Sequence, residues 1–123
     1  MRSRAEANQW LLFAAMELEQ PLWRITRNRS LYPEHQRQPT DIPIAGREFE
    51  DMAAVLERHM RGREFVVGER ATVVDFVTAY TLDWAGEVGL LDGFPNLTEY
   101  VQRMYARPKA PMRIAQAFAA LES

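Results

Sequence analysis

Apolar residues recur along this chain at intervals of three and four, the spacing that places side chains on one face of a helix. In the first segment, Leu18, Leu22 and Ile25 belong to such a stripe. Pro21 lies inside the pattern. Because it lacks an N–H and crowds the carbonyl four residues earlier, we expect a kink near Glu17. No stretch shows the sustained apolar and polar alternation of a half-buried strand, so the pattern predicts an all-α fold.

Four more helices are predicted after a long loop. The loop is 28–43, which contains three prolines and little periodicity. The helix that follows it is expected to end near Gly62, because glycine readily adopts the left-handed conformation of a helix cap. The stripes that mark the four helices are, in chain order, Phe49, Met52, Leu56 and Met60; Phe76, Val77, Tyr80, Trp84 and Val88; Leu97, Tyr100, Val101, Met104 and Tyr105; and Ile114, Ala117, Phe118 and Leu121. We therefore expect a bundle of about five helices.

Thr72 and Asp75 have the spacing of a capping box at the start of the third predicted helix. In such a box the Thr72 hydroxyl accepts a hydrogen bond from the N–H of Asp75, and the Asp75 carboxylate accepts one from the N–H of Thr72. If this helix is central, losing the box should cost more than the ~1 kcal/mol typical of an exposed cap. The segment 63–67 just before it is too short for an independent sheet and is predicted to tuck Phe65 inward.

Composition indicates one domain over residues 1–123. A hydrophobic content of 47% is enough for a core without metal or disulfide support. The net charge of -2 gives no basic field that would attract nucleic acid or anionic lipid. The chain has no cysteine, which excludes disulfides and thiol nucleophiles. The longest apolar run, Trp10 to Met16, is too short to span a membrane, so we expect a cytoplasmic protein.

Few residues suggest metal binding or nucleophilic catalysis. His35 and His59 are isolated from each other and from other ligands, so no metal site is expected. Ser3, Ser30 and Ser123 have no nucleophile elbow around them.

Four arginines cluster where the first helix is expected to end. They are Arg24, Arg27, Arg29 and Arg37. Such a cluster suits a bound anion, and it equally suits a solvated helix end, where positive charge complements the helix dipole. Both interpretations stay open at the level of sequence.

Four segments, in order, resemble the glutathione S-transferase family. They are Glu6 to Trp23 with its core Gln9-Trp10-Leu11-Leu12-Phe13, Phe65 to Phe76 with its glycine and capping box, Pro95-Asn96-Leu97, and Arg107-Pro108. Together they cover nearly the whole chain and resemble the C-terminal helical domain of that family, especially in its bacterial branch. The resemblance implies the same five-helix bundle.

Members of this family also carry an N-terminal thioredoxin-like domain, which binds glutathione and activates its sulfur. Nothing in this sequence corresponds to that domain. The chain is therefore interpreted as a piece of a longer protein, a one-domain protein or half of a split pair. The resemblance implies glutathione as co-substrate of the full-length protein, a thioredoxin-like domain as partner and a possible homodimer. The isolated chain is expected to bind no cofactor, to bind glutathione negligibly and to be inactive.

The resemblance also assigns roles to individual residues. It places Trp10, Phe13, Met16 and Trp84 in the pocket for a small apolar electrophile, although aromatic residues at helical spacing are more often ordinary core. Glu17 is expected to reach across a dimer to the amine of glutathione, or else to be a solvated charge beside the kink. Thr72 and Asp75 are assigned to folding.

Two functions follow from the resemblance. One is detoxification as a transferase, in which this domain positions an electrophile for conjugation to glutathione. The other is a non-catalytic protein–protein interaction module of the same fold.

Overall fold

The computed structural model describes the backbone of residues 2–122 and the side chains of residues 4–122. The first helix, α1, covers residues 2–31. It has α-helical parts and two wider π-helical parts, which are, in order, Arg2–Phe13 (α), Ala14–Glu19 (π), Gln20–Thr26 (α) and Arg27–Leu31 (π). A single 3-10 turn, Glu34–Gln36, follows.

Four further helices complete the bundle. They are α2 (Asp41–His59), α3 (Val73–Glu87), α4 (Pro95–Tyr105) and α5 (Ile114–Glu122). Residues 2–122 contain no strand, which confirms the predicted all-α fold of about five helices. Within the same residues, no helix combines the length and apolar content needed to cross a bilayer.

The disturbance expected near Glu17 is a π-helical turn. The turn Ala14–Glu19 ends just before Pro21. Proline has no N–H to donate to the carbonyl of Glu17, and a wider turn moves its ring away from that carbonyl. Pro21 itself is buried, so the helix continues through this point as part of the core.

The predicted loop 28–43 was too long, because only residues 32–40 separate α1 from α2. Asn28 links the end of α1 to this shorter loop. Its side-chain amide donates to the carbonyl of Arg24 at 2.9 Å, and its side-chain oxygen accepts the N–H of Gln38 at 3.0 Å. Pro43 is the third residue of α2, where a backbone N–H has no partner within the helix in any case. Proline therefore does not prevent the helix from starting earlier.

The helix α3 is central and packs against α1, α4 and α5. Its predicted inward stripe was wrong at Phe76 and Tyr80, which are each 55% exposed, whereas Trp84 and Val88 are partly buried against the core. The buried apolar and small residues are Val74, Thr78, Ala79, Thr81, Leu82 and Ala85. Because most of these are small, the neighbouring helices approach closely there, and the bulky aromatic residues are left on the open side.

Three other local predictions had different outcomes. Phe65 is buried together with the two valines after it, as the short segment before α3 suggested. The cap predicted at Gly62 is confirmed by its φ of 72°. In α5, however, Phe118 and Leu121 are 62% and 82% exposed, so the inward face predicted for this helix was wrong at those positions.

Candidate functional site

The Asp75 carboxylate joins three parts of the chain. It is fully buried and accepts hydrogen bonds from the N–H of Thr72 at 2.9 Å, the N–H of Val66 at 3.0 Å and the hydroxyl of Tyr100 at 2.7 Å. Burial, and then the negative charge of Asp75, raise the pKa of Tyr100 far above its usual value, so this hydroxyl remains a donor. Asp75 therefore holds α3, α4 and the segment before α3 in place.

The capping box predicted from Thr72 and Asp75 is present at the start of α3, and its Thr72 half is the weaker of the two. Thr72 occupies the N-cap position in extended conformation, as a capping box requires. The N–H of Asp75, however, donates to the Thr72 carbonyl at 2.9 Å. The Thr72 hydroxyl oxygen is buried without a hydrogen-bond partner among the residues described. The carboxylate is thus the effective part of this cap.

Glu57 performs a similar task for α4 from a different helix. Its carboxylate accepts the N–H groups of Asn96 at 3.0 Å and Leu97 at 3.1 Å. These belong to the first turn of α4, where backbone N–H groups have no acceptor within the helix. Glu57 and Asn96 are 39 residues apart in sequence, so no local motif indicates this cap.

Asp83 secures the start of α5. It is 1% exposed, accepts the N–H of Ile114 at 2.8 Å and pairs with the Nε of Arg113 at 2.9 Å. Sequence analysis did not single it out. The available signal was an acid in the middle of an otherwise apolar helix, a residue type that is almost never fully buried unless it is paired.

Trp10 and Phe13, two of the predicted pocket residues, lie together. Their rings meet edge to face with centroids 5.2 Å apart, and both are partly buried against the core. The His59 ring stacks on Trp10 at 4.2 Å. His59 Nε2 is 2.7 Å from the Val66 carbonyl oxygen, so it carries the proton, because a carbonyl only accepts.

Trp84 lies in a second aromatic cluster. Its indole N–H donates to the hydroxyl of Thr26 at 3.1 Å, and its ring meets that of Trp23 edge to face at 4.8 Å. Thr26 is roughly 20 Å along α1 from Phe13, given the rise of a helix. The structure therefore does not bring all four predicted pocket residues into one cavity. Met16, between the two clusters in sequence, is 66% exposed.

Glu17 and the arginine cluster differ in how far their side chains are engaged by other groups of the chain. The side chain of Glu17 is exposed, with no ion pair or hydrogen bond within the described part of the chain. Arg24 is tied to Asp41 at 2.6 Å and to Glu48 at 2.8 Å, and its hydrogen bond lowers the pKa of Asp41. Arg27 and Arg37 donate to backbone carbonyls, so these two and Arg24 are engaged within the chain and do not converge on an anion site.

A cleft lies between α3, α4 and the segment 107–111. Its volume is about 640 Å³, and it was not anticipated from the sequence. Its lining consists of Phe76, Ala79, Tyr80, Met104, Tyr105, Arg107, Pro108, Lys109, Ala110 and Pro111. The exposed aromatic residues of α3 are thus walls of a cleft. Within residues 4–122, no three histidine or acidic side chains are grouped so that they could hold a metal ion.

Comparison with known proteins gives a consistent picture. The model of the glutathione S-transferase C-terminal domain matches residues 15–108, more than half of the chain. Glutathione S-transferase GST-4.5 of Xanthomonas campestris is 31% identical over 109 residues, which are 85% of this chain and 52% of that protein. Elongation factor 1-gamma of Rattus norvegicus is 27% identical over 111 residues, covering 85% of this chain and 24% of its own length.

Solved structures share the fold. The glutathione transferase URE2P5 of Phanerochaete chrysosporium has a TM-score of 0.83 at 20% identity, over 100% of this chain and 59% of that one. That protein has also been cocrystallised with 1-(S-glutathionyl)-2,4-dinitrobenzene. The chain spans about half the length of the Xanthomonas relative and of this structure. With a match over most of its length, the chain belongs to the glutathione S-transferase C-terminal domain family.

Proposed function

We propose that this chain is the helical half of a glutathione transferase and holds a small apolar electrophile for conjugation. In this proposal a thioredoxin-like domain is its partner, glutathione is the co-substrate, and the assembly acts in the cytoplasm, with a homodimer as its expected form. Support comes from the family and from relatives about twice as long as this chain. Isolated, the chain would be inactive, because the domain that lowers the thiol pKa is another one.

The observation that carries the proposal is the uncovered apolar surface in the middle of α1. Leu12, Met16 and Trp23 are large apolar side chains that remain exposed there. The clusters of Trp10 with Phe13 and of Trp23 with Trp84 lie toward either end of this stretch. Burying such surface against an apolar ligand or a second domain is favourable. The exposed carboxylate of Glu17 lies beside Met16 and suits the ammonium group of glutathione.

In the proposed reaction, this domain positions the electrophile and excludes water from the reacting atoms. A glutathione thiolate attacks the electrophilic carbon, a carbon–sulfur bond forms, and the leaving group departs with the electron pair of its bond. Holding the two reactants in contact removes much of the entropic barrier. Met16 and Trp84 would decide which electrophile is accepted, whereas the reactivity of the sulfur would come from the other domain.

A chimera tests this proposal. The helical half of the Xanthomonas relative is replaced by this chain, and conjugation of glutathione to chlorodinitrobenzene is followed as chloride is displaced. We expect activity from the chimera, and none from the chain or the thioredoxin-like half alone. A folded chimera that binds glutathione but conjugates nothing would contradict the proposal. So would micromolar binding of glutathione to the isolated chain.

Two substitutions in the chimera locate the electrophile. Met16→Ala and Trp84→Ala should raise KM for chlorodinitrobenzene and leave KM for glutathione unchanged. Leu31→Ala, at another exposed apolar position of α1, is the matched control and should change neither. If all three behave alike, the predicted pocket residues have no specific role.

A second candidate function is the interaction module. The similarity to elongation factor 1-gamma, at 27% identity, favours it. This function predicts no dependence on glutathione, and an inactive chimera whose isolated helical domain still binds a protein partner. The activity of the chimera therefore separates the two functions.

A further inference from the structure

Two indole rings meet almost at right angles between α1 and α3. Trp23 belongs to α1 and Trp84 to α3, and their ring centroids are 4.8 Å apart with an angle of 83° between the ring planes. Trp84 is packed against the core, whereas Trp23 is 42% exposed. We call this pair the indole corner. A third flat ring can lie on the face of one indole while its edge meets the other.

Glu19 fixes the outer indole of the corner. Glu19 and Trp23 are four residues apart, so their side chains are neighbours on one face of α1. The Glu19 carboxylate accepts the N–H of the Trp23 indole at 3.0 Å. An exposed side chain otherwise changes rotamer rapidly, and a ring that is already held loses less entropy when a ligand stacks on it. The hydrogen bond therefore preorganises Trp23 as one wall of a site.

Thr26 fixes the inner indole from the same helix. Its hydroxyl accepts the N–H of the Trp84 indole at 3.1 Å, across 58 residues of sequence. Because Trp23 and Thr26 are three residues apart on α1, this helix holds one ring directly and the other through the hydroxyl. An indole has no other hydrogen-bonding group. With both N–H groups engaged, the two rings present only apolar edges and π faces to a ligand.

The charge distribution of the two rings favours one class of electrophile. The face of an indole carries negative charge density. Nitro groups withdraw electrons from an aromatic ring, so the face of a nitroaromatic electrophile is electron-poor and stacks favourably on an indole. An aliphatic electrophile has no such face and gains only from apolar contact.

We propose that the indole corner is the electrophile site and that it selects flat, electron-poor aromatic electrophiles. Trp23 is then a specificity-determining residue, a role that the sequence did not assign to it. Glu19 and Thr26 act through the two rings and are positioning residues. The pair of Trp10 and Phe13 lies outside the site. This inference rests on the proposed function and adds the substrate class and the location of its electrophile site.

Binding is tested on the 123-residue chain with 1,3-dinitrobenzene, an electron-poor ring without a leaving group. The chain contains three tryptophans, so three indole N–H signals report on binding in NMR spectra. We expect the signals of Trp23 and Trp84 to shift on titration and that of Trp10 to stay in place. A Trp23 signal that does not move, or a Trp10 signal that moves as far, would overturn the inference. Because this titration needs no catalysis, its result does not depend on whether the chimera is active.

Selectivity is measured in the chimera as the ratio of kcat/KM for chlorodinitrobenzene to kcat/KM for iodomethane, from which the thiolate displaces iodide. Trp23→Ala should lower this ratio about tenfold through loss of a stacking partner, with KM for glutathione unchanged. Tyr32→Ala, at the exposed aromatic residue directly after α1, is the matched control and should leave the ratio unchanged.

The two proposals fail in different ways in this experiment. An active chimera whose ratio is the same with and without the Trp23 ring contradicts the inference and leaves the proposed function standing. A folded chimera that is inactive toward both electrophiles contradicts the proposed function, and this inference with it.

Conservative variants test the positioning residues. Glu19→Gln keeps an oxygen that accepts the Trp23 N–H and should leave the ratio within about twofold, whereas Glu19→Ala should lower it about threefold. Thr26→Ser and Thr26→Val make the same comparison for Trp84. A purely structural role would change the rates for both electrophiles alike and leave the ratio unchanged. Equal ratios within each pair of variants would therefore overturn the positioning roles.

Discussion

The two sides of α3 differ in the size of their residues and in how much of each residue is buried. On one side small residues and the buried Asp75 carboxylate meet α1 and α4, and the polar groups of Asp75 are satisfied within the chain. On the other side Phe76 and Tyr80 stand more than half exposed along a cleft. Stability is thus concentrated on the first side, and surface suited to binding is concentrated on the second. Substitutions on the two sides should therefore have different consequences.

Loss of the Asp75 carboxylate should have the largest effect. Asp75→Ala leaves the N–H groups of Val66 and Thr72 without their acceptor and removes the shorter of the two hydrogen bonds that the Tyr100 hydroxyl donates to this residue, so we expect a loss of about 3–5 kcal/mol in the free energy of unfolding. Urea denaturation followed by circular dichroism measures it. Glu122→Ala, an exposed acid at the end of α5, is the control. Similar midpoints for the two variants would show that the network contributes little.

A matched pair on α3 compares its two sides directly. Leu82→Ala removes a fully buried side chain and should cost about 2–5 kcal/mol through lost transfer energy and the remaining cavity. Tyr80→Ala should cost less than about 1 kcal/mol, because more than half of its side chain is already in water. If the tyrosine variant is destabilised as much as the leucine variant, the aromatic side belongs to the core.

The remote cap of α4 should have an intermediate effect. Glu57→Ala removes the acceptor of two first-turn N–H groups, which water can partly replace, so we expect a loss of about 1–2 kcal/mol. Amide exchange of Asn96 and Leu97 should accelerate in this variant, while exchange within α3 stays slow. A uniform acceleration throughout the chain would argue against a local cap.

The Thr72 hydroxyl should matter least. Because its oxygen has no hydrogen-bond partner within the described residues, Thr72→Val should cost less than about 1 kcal/mol, well below the cost of Asp75→Ala. Thermal unfolding of the two variants in parallel checks this order. A loss equal to that of the Asp75 variant would mean that the hydroxyl does cap α3 in solution.

Helical periodicity and local motifs were sufficient to predict the fold. The position of α3 followed from Thr72 and Asp75. The family resemblance followed from four segments that occur in the same order as in that family. These features depend on residues close together in sequence. Their spacing reflects the geometry of a single helix, which is the same whatever surrounds it.

Features that depend on distant contacts were not predictable in this way. The stripe drawn through Phe76 and Tyr80 assumed that large apolar residues are buried, but a central helix contacts its neighbours through small residues. Asp83 and Glu57 cap helices that begin more than 30 residues later in the chain, so no spacing rule identifies them. The cleft also arises from three separate segments, none of which carries a signal for it alone.

The π-helical turn Ala14–Glu19 fixes how the two ends of α1 are rotated relative to each other. A π turn contains about one residue more than an α turn, and one residue of an α-helix corresponds to a rotation of about 100°. Deleting a single residue from this turn would let α1 become regular and would swing Trp10 away from His59. Length, and not only residue identity, is therefore constrained at this point in the chain.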